Sequence, residues 1–199
     1  MTSLRDRHLA TAHSIRAELL ELLEGMDYCL DWQPDPSVWC VREIVCHLLD
    51  TPPGGIYSIV RGILSGELEE YDIWAHRTNM TPEKQAKDMA QLLDEINTLF
   101  QELEQALGSA TDADLAGKPV LAHLKSRGVD EQRTADMLLE REFDGHWREH
   151  LNQIGDLEPR WDFPESGVRA NLEQGQKSFL RNLYPANHLH PALSFLLLL

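Results

Sequence analysis

Four stretches of this chain repeat their apolar residues in alternating steps of three and four, a period that suits helices and excludes an extended sheet core. The first predicted helix runs from about Ser3 to Met26, with Ala12, Ile15, Leu19, Leu22 and Met26 on one face. Asp35 followed by Pro36 has the form of an N-cap and first-turn pair for a second, which carries Val38, Val41, Ile44, Val45 and Leu48. Pro52-Pro53-Gly54-Gly55 breaks it, and a short apolar piece from Ile56 to Leu64 continues beyond. Ser65 to Met80 lacks helical period and is expected to be a connection. Thr81-Pro82-Glu83 then starts a third helix, whose seam of Ala86, Met89, Leu93, Ile96, Phe100, Leu103 and Leu107 ends at Gly108. Gly108 to Val129 is mixed and polar, and Asp130 is expected to cap a fourth helix reaching about Leu157. Its seam reads Leu139, Phe143, His146, His150, Gln153 and Leu157, an apolar stripe interrupted by three polar residues.

These periods predict an all-α fold, with a helical bundle in residues 1–157 and residues 158–199 as a C-terminal extension packed on it. That extension holds Pro159, Trp161 and Pro164, a short predicted helix over about 168–183, and a tail; some forty residues rarely support a core of their own. The terminal apolar run Ser194 to Leu199 is too short to cross a hydrocarbon layer of about 30 Å. It is expected to pack on the body or on a second copy in a homodimer.

Charge narrows the partners. Eighteen Lys plus Arg against thirty-three Asp plus Glu give a formal net charge of -15, which repels phosphate backbones and anionic lipid, so neither nucleic acid nor membrane is expected. The opening MTSLRDRHLATAHS lacks the apolar stretch of a secretory signal, and Cys29, Cys40 and Cys46 cannot all pair. A cytoplasmic location and small, buried, unpaired thiols are the expectation.

His146 and His150 are four apart, so a helix stacks their rings on one face where they can grip one ion. Two surface histidines would show the same spacing. Their place in the seam argues against that, because an unpartnered buried imidazole is costly. Gln153 lies on the same face and can hydrogen-bond a ligand ring. His47, in Trp39-Cys40-Val41-Arg42-Glu43-Ile44-Val45-Cys46-His47-Leu48, reads by itself as a satisfied core histidine. His8, His13, His76, His123, His188 and His190 fall on the first helix, in connections or in the tail and are not assigned to a site. His146-Trp147-Arg148-Glu149-His150 also matches the H-x-x-E-H of inverted zinc peptidases, with Glu149 as general base, but nothing downstream offers their second helical layer.

Trp39, Arg42-Glu43, His47-Leu48 and Asp50, followed by His146 to Ile154, resemble the DinB/YfiT-like superfamily over roughly residues 5 to 157. The extension after Glu158 and the Pro-Pro-Gly-Gly break lie outside that pattern. The resemblance implies a four-helix bundle, up-down-down-up with a long crossover for which residues 65–80 are the candidate. It also implies that His47, late in the second helix, joins His146 and His150 in binding a divalent metal ion: zinc, nickel, iron or manganese. Three imidazoles leave open coordination positions, as catalysis requires. The family includes transferases and isomerases that use a low-molecular-weight thiol whose pKa the metal lowers, which makes a small-molecule substrate and such a thiol the expected partners. Two other readings stay open: a small metal-dependent hydrolase with Glu43, Asp50 or Glu149 as proton acceptor, and a non-catalytic, stress-related metal-binding protein. Proton competition with an ordinary imidazole site is expected near about pH 6.5.

Overall fold

A computed structural model describes residues 2–157. The predicted extension 158–199, with its helix at 168–183 and its two histidines, lies outside the described residues.

The described residues are mostly helical, as the periodicity leads one to expect. Helix α1 spans Leu4–Leu23, and the Ser3 hydroxyl caps it by accepting from the Asp6 N–H. Gly25, at φ +70°, turns the chain soon after, so Met26 lies beyond the helix although it still packs in the core. Helix α2 spans Val41–Leu49, and α3 Ile56–Ser65; Gly54 and Gly55, both at φ +81°, make the break between them.

Three details depart from the sequence-based expectation. Asp35 does not cap α2: it accepts from the Ser37 N–H and hydroxyl in a local turn, and the helix starts five residues later than Pro36, at Val41. Val38 is consequently 40% exposed. The third predicted helix is divided into a one-turn α4, Pro82–Gln85, capped by Thr81, and a long α5, Met89–Leu107, capped by an Asp88–Gln91 box. The second cap wins because Asp88 and Gln91 satisfy each other's backbone N–H groups, which Thr81 and Lys84 cannot do reciprocally.

The fold is not all-α. After helix α6, Asp112–Gly117, strand β2 (Val120–Leu124) pairs in parallel with β1 (Glu70–Ile73) and antiparallel with β3 (Val129–Arg133). Asp130 therefore lies within β3, bonded to His123 on the neighbouring strand, and caps no helix. Thr134 caps α7 (Ala135–Glu140) instead, accepting from the Met137 N–H. Strands of four and five residues with a polar β3 leave no apolar alternation long enough to read.

From α7 the rod continues through a π-helical stretch, Arg141–Trp147, into α8, Arg148–Asp156. Helix α1 packs against this rod and against α5, α3 lies along α5, and α2 touches both α5 and α8. Its buried face carries Phe143 and Trp147, which meet Phe100 of α5 with ring centroids 6.0 and 5.3 Å away. All three aromatic side chains are fully buried, so the rod's rotation about its own axis is fixed on the side away from its histidines. No described helix is long and apolar enough to cross a membrane.

Candidate metal centre

The Nε2 atoms of His47 and His146 lie 2.8 Å apart, although ninety-nine residues separate them in sequence. With His150 they form a cluster in which one ring nitrogen of each lies within 4.8 Å of the other two. His47 and His150 are buried and His146 half-buried. The ring centroids are 4.7 to 4.9 Å apart and the planes steeply inclined, so the rings meet edge-on around a common point and do not stack.

Each imidazole is held from behind by its other nitrogen. His47 Nδ1–H donates to the Arg77 carbonyl at 2.6 Å, with Thr51 Oγ1 3.2 Å from the same nitrogen. His146 Nδ1–H donates to the buried Glu142 carboxylate at 2.8 Å. His150 Nδ1–H donates to Gln153 Oε1 at 2.8 Å. These acceptors select the tautomer in which all three Nε2 atoms carry bare lone pairs. Two such lone pairs facing each other at 2.8 Å repel, and a cation bound by both atoms would relieve that contact. Neutral imidazoles with oriented second nitrogens are the donor set of zinc, nickel and iron sites, and the residues present fit such an ion.

The surroundings favour the neutral form of His47 and His150. Burial, followed by the neighbouring His146 and His150, pushes the His47 pKa down to about 3. Burial also lowers that of His150, with His146 adding to it and the Gln153 bond opposing it. Trp39 covers the cluster from one side, stacked on His150 at 5.8 Å and 6° and edge-on to His47 at 5.1 Å.

Helix geometry explains the pairing of His146 with Glu142, four residues earlier on the same face of the π-helical stretch. The Arg77 carbonyl is placed differently, by the loop that follows β1. His76 and Asn79 adopt left-handed conformations there, at φ 59° and 56°, which non-glycine residues rarely take. Asn79 holds that shape by donating through Nδ2 to the Asp50 carbonyl and to Thr51 Oγ1, at 3.1 and 3.0 Å, while Lys84 Nζ reaches the Asn79 carbonyl at 2.8 Å. Asn79→Ala removes two hydrogen bonds from a strained turn and should cost about 1–3 kcal/mol in urea denaturation. It should also weaken metal affinity measured by chelator competition, because His47 loses its fixed orientation.

The other residues singled out from the sequence serve the scaffold. Glu43 Oε2 accepts from the Cys40 N–H at 3.0 Å and from Gln33 at 2.8 Å, closing the N-terminus of α2. Buried Arg42 clamps Asp31 with two bonds, at 2.5 and 2.9 Å, and donates to the Lys87 carbonyl. Asp50 accepts from the Gly54 N–H at 2.9 Å and pairs with Lys84 at 3.1 Å. Glu149 is exposed, as is Gln153. Cys29, Cys40 and Cys46 are buried, and burial pushes the Cys40 thiol up to about 11, away from the thiolate form a metal takes. His8 is buried against Asp136 at 2.7 Å, His13 pairs with Glu104 at 2.8 Å, and His123 with Asp130 at 2.7 Å, none of them in the cluster. Glu142 and the Arg77 carbonyl were not among the residues picked from the sequence. The first had a legible signal, an acid one turn before His146; a backbone carbonyl in a loop has none.

No curated protein and no solved structure matches the chain. The sequence model of the DinB superfamily matches residues 11–154, a span that contains His47, Glu142, His146, His150 and Gln153. With that match over most of its length, the chain belongs to the DinB superfamily.

Proposed function

We propose that this protein holds one divalent metal ion through the Nε2 atoms of His47, His146 and His150 and is a metal-dependent enzyme acting on a small molecule with a low-molecular-weight thiol as co-substrate. The observation that carries this reading is the commitment of all three Nδ1–H groups to acceptors, which leaves three ring lone pairs gathered at one place with no other side chain donating to them among the described residues. When bound, a divalent ion supplies Lewis acidity that lowers the pKa of a thiol or water at its open positions. Imidazole donors favour zinc, nickel or iron over manganese, which prefers carboxylate and water.

Hydrolysis is the weaker alternative, since water starts from a far higher pKa than a thiol and gains more from a proton acceptor beside the cluster. Glu43 and Asp50 are spent on helix and loop contacts, Glu142 holds His146, and Glu149 is exposed. A thiol whose pKa is lowered needs no such base, which favours transfer or isomerisation through a thiolate. The reading carries with it a four-helix arrangement of α1, α2–α3, α5 and α7–α8, with 65–80 as crossover, and residues 158–199 as an extension. A cytoplasmic location suits the buried thiols of Cys40 and Cys46.

The test is consumption of a small thiol by protein loaded with zinc, nickel or iron, against a panel of electrophiles. Consumption that disappears on metal removal and in His146→Ala supports the proposal; a rate equal to that of free metal in buffer overturns it. Glu149→Gln should retain full metal content and nearly all such activity. If the substitution instead abolished a peptidase activity, the H-x-x-E-H reading would replace this one.

A further inference from the structure

We infer that the arginine-lined cleft beside His146 is the binding site for an anionic group, carboxylate or phosphate, of the small molecule that reacts at the histidine centre. This rests on the proposed function only for what the anion's bearer does there; the cleft itself is a feature of this chain. It has a volume of about 270 Å³, and its wall includes Arg127, Arg133, Arg141, Ser126, Ile73 and His146. Sites for drug-sized ligands occupy about 300–1,000 Å³, so this one suits a small metabolite.

Three guanidinium groups around one small cleft are unexpected in a chain whose formal net charge is -15. Cations gathered in a chain of that net charge produce a local field of opposite sign that attracts anions. Arg133 is buried, its side chain only 6% exposed, and a buried guanidinium must be matched. Glu131 Oε2 meets its Nε and Nη2 at 3.2 and 3.0 Å and also reaches Arg141 Nη1 at 3.2 Å. One carboxylate oxygen thus faces two arginines, while Arg127 adds a third positive charge. A guanidinium has five N–H donors, and a single oxygen cannot use them all.

The sheet explains why these residues meet. Arg133 ends β3, Arg127 occupies the β2–β3 turn just before Gly128 at φ +64°, and Arg141 opens the π-helical stretch that carries His146. The hairpin therefore brings two cations to the side of the rod where the third and the histidine lie. Because His146 is shared between cleft and cluster, an anion held by the arginines places the rest of its molecule next to the Nε2 atoms.

The experiment is calorimetric titration of metal-free protein with inorganic phosphate and with malonate, in Tris–chloride at constant ionic strength, for the wild type and the Arg127→Gln/Arg141→Gln double variant. Both substituted side chains are largely exposed, so the variant should fold where Arg133→Gln, at a buried position, would not be a safe test. Saturable binding of at least one probe, weakened about tenfold or more in the double variant, is the expected result, since each lost charged contact contributes on the order of a factor of ten. Whichever probe binds more tightly identifies the group as phosphate or carboxylate. Absence of saturable binding, or equal affinity in wild type and variant, overturns the inference. Metal content of the same two proteins is measured in parallel: it reports on the histidine centre alone, so failure of the metal reading and failure of the anion site are separately visible.

Discussion

His47→Ala should leave the purified protein without stoichiometric metal, even though His146 and His150 remain on one rigid helix. Two imidazoles from α8 and its π-helical approach supply only one side of a coordination sphere, and His47 is the ligand that comes from a different helix, with its Nε2 2.8 Å from that of His146. Affinity should fall by more than the roughly 10–100-fold that loss of an orienting partner causes. His146→Ala and His150→Ala should behave alike. Gln153→Ala, which removes only the acceptor of His150 Nδ1–H, should fall within that 10–100-fold range, and Glu142→Gln, which keeps an acceptor oxygen, at its lower end. His123→Ala should change nothing, since its ring is engaged with Asp130 and Glu70 on the sheet. Elemental analysis after dialysis and a chelator-competition titration check the series. Full occupancy in His47→Ala would remove α2 from the site.

Acid should destabilise the metal-free protein well before its carboxylates titrate. Burial holds the folded pKa of His47 at about 3 against an unfolded value of 6.5, and it lowers that of His150 as well. Above pH 6.5 both states are neutral at these rings and they contribute no pH dependence. As the pH falls below 6.5 the unfolded chain takes up protons that the folded one refuses, so stability declines until folded His47 protonates near 3. The slope for one such group approaches about 1.4 kcal/mol per pH unit. Chemical denaturation between pH 7.5 and 4.5, in chelator-treated buffer, isolates the effect from acid groups with pKa values near about 4. A curve flat over that range would mean that the rings are charged or exposed in the folded state. The same depression moves proton competition at His47 and His150 below the ordinary imidazole range near about pH 6.5.

What could be read from the sequence was whatever repeats. Ala12, Ile15 and Leu19, or Ile96, Phe100, Leu103 and Leu107, recur often enough to mark a buried helical face, and each of them is buried. The same seam logic exposed His146 and His150 as polar residues on an apolar stripe. His47 depended on resemblance, because one histidine among Ile44, Val45 and Leu48 has no pattern of its own. The sheet stayed hidden because its strands are short and the outer one, Val-Asp-Glu-Gln-Arg, is nearly all polar; its pairing is decided by partners fifty residues away in the case of Glu70 and Leu121. Asp130 and Asp35 had the right chemistry for caps, yet Thr134 and the Cys40–Glu43 pair close those helices. A cap residue announces only a possible start, and His123 on the neighbouring strand and Ser37 in a local turn claim those two carboxylates. The arginine cleft was unreadable for the same reason as the sheet that builds it.

X-ray absorption at the edge of the bound metal, on protein purified in thiol-free buffer, measures the ligand set directly. The expected spectrum shows nitrogen and oxygen neighbours at about 2.0–2.1 Å for zinc, with the outer-shell scattering of three imidazoles, reduced to two in His47→Ala if any metal is retained there. A sulfur neighbour at about 2.3 Å, which would place a cysteine on the ion, or an imidazole count unchanged in His47→Ala, would contradict the assignment of His47, His146 and His150 as the metal centre.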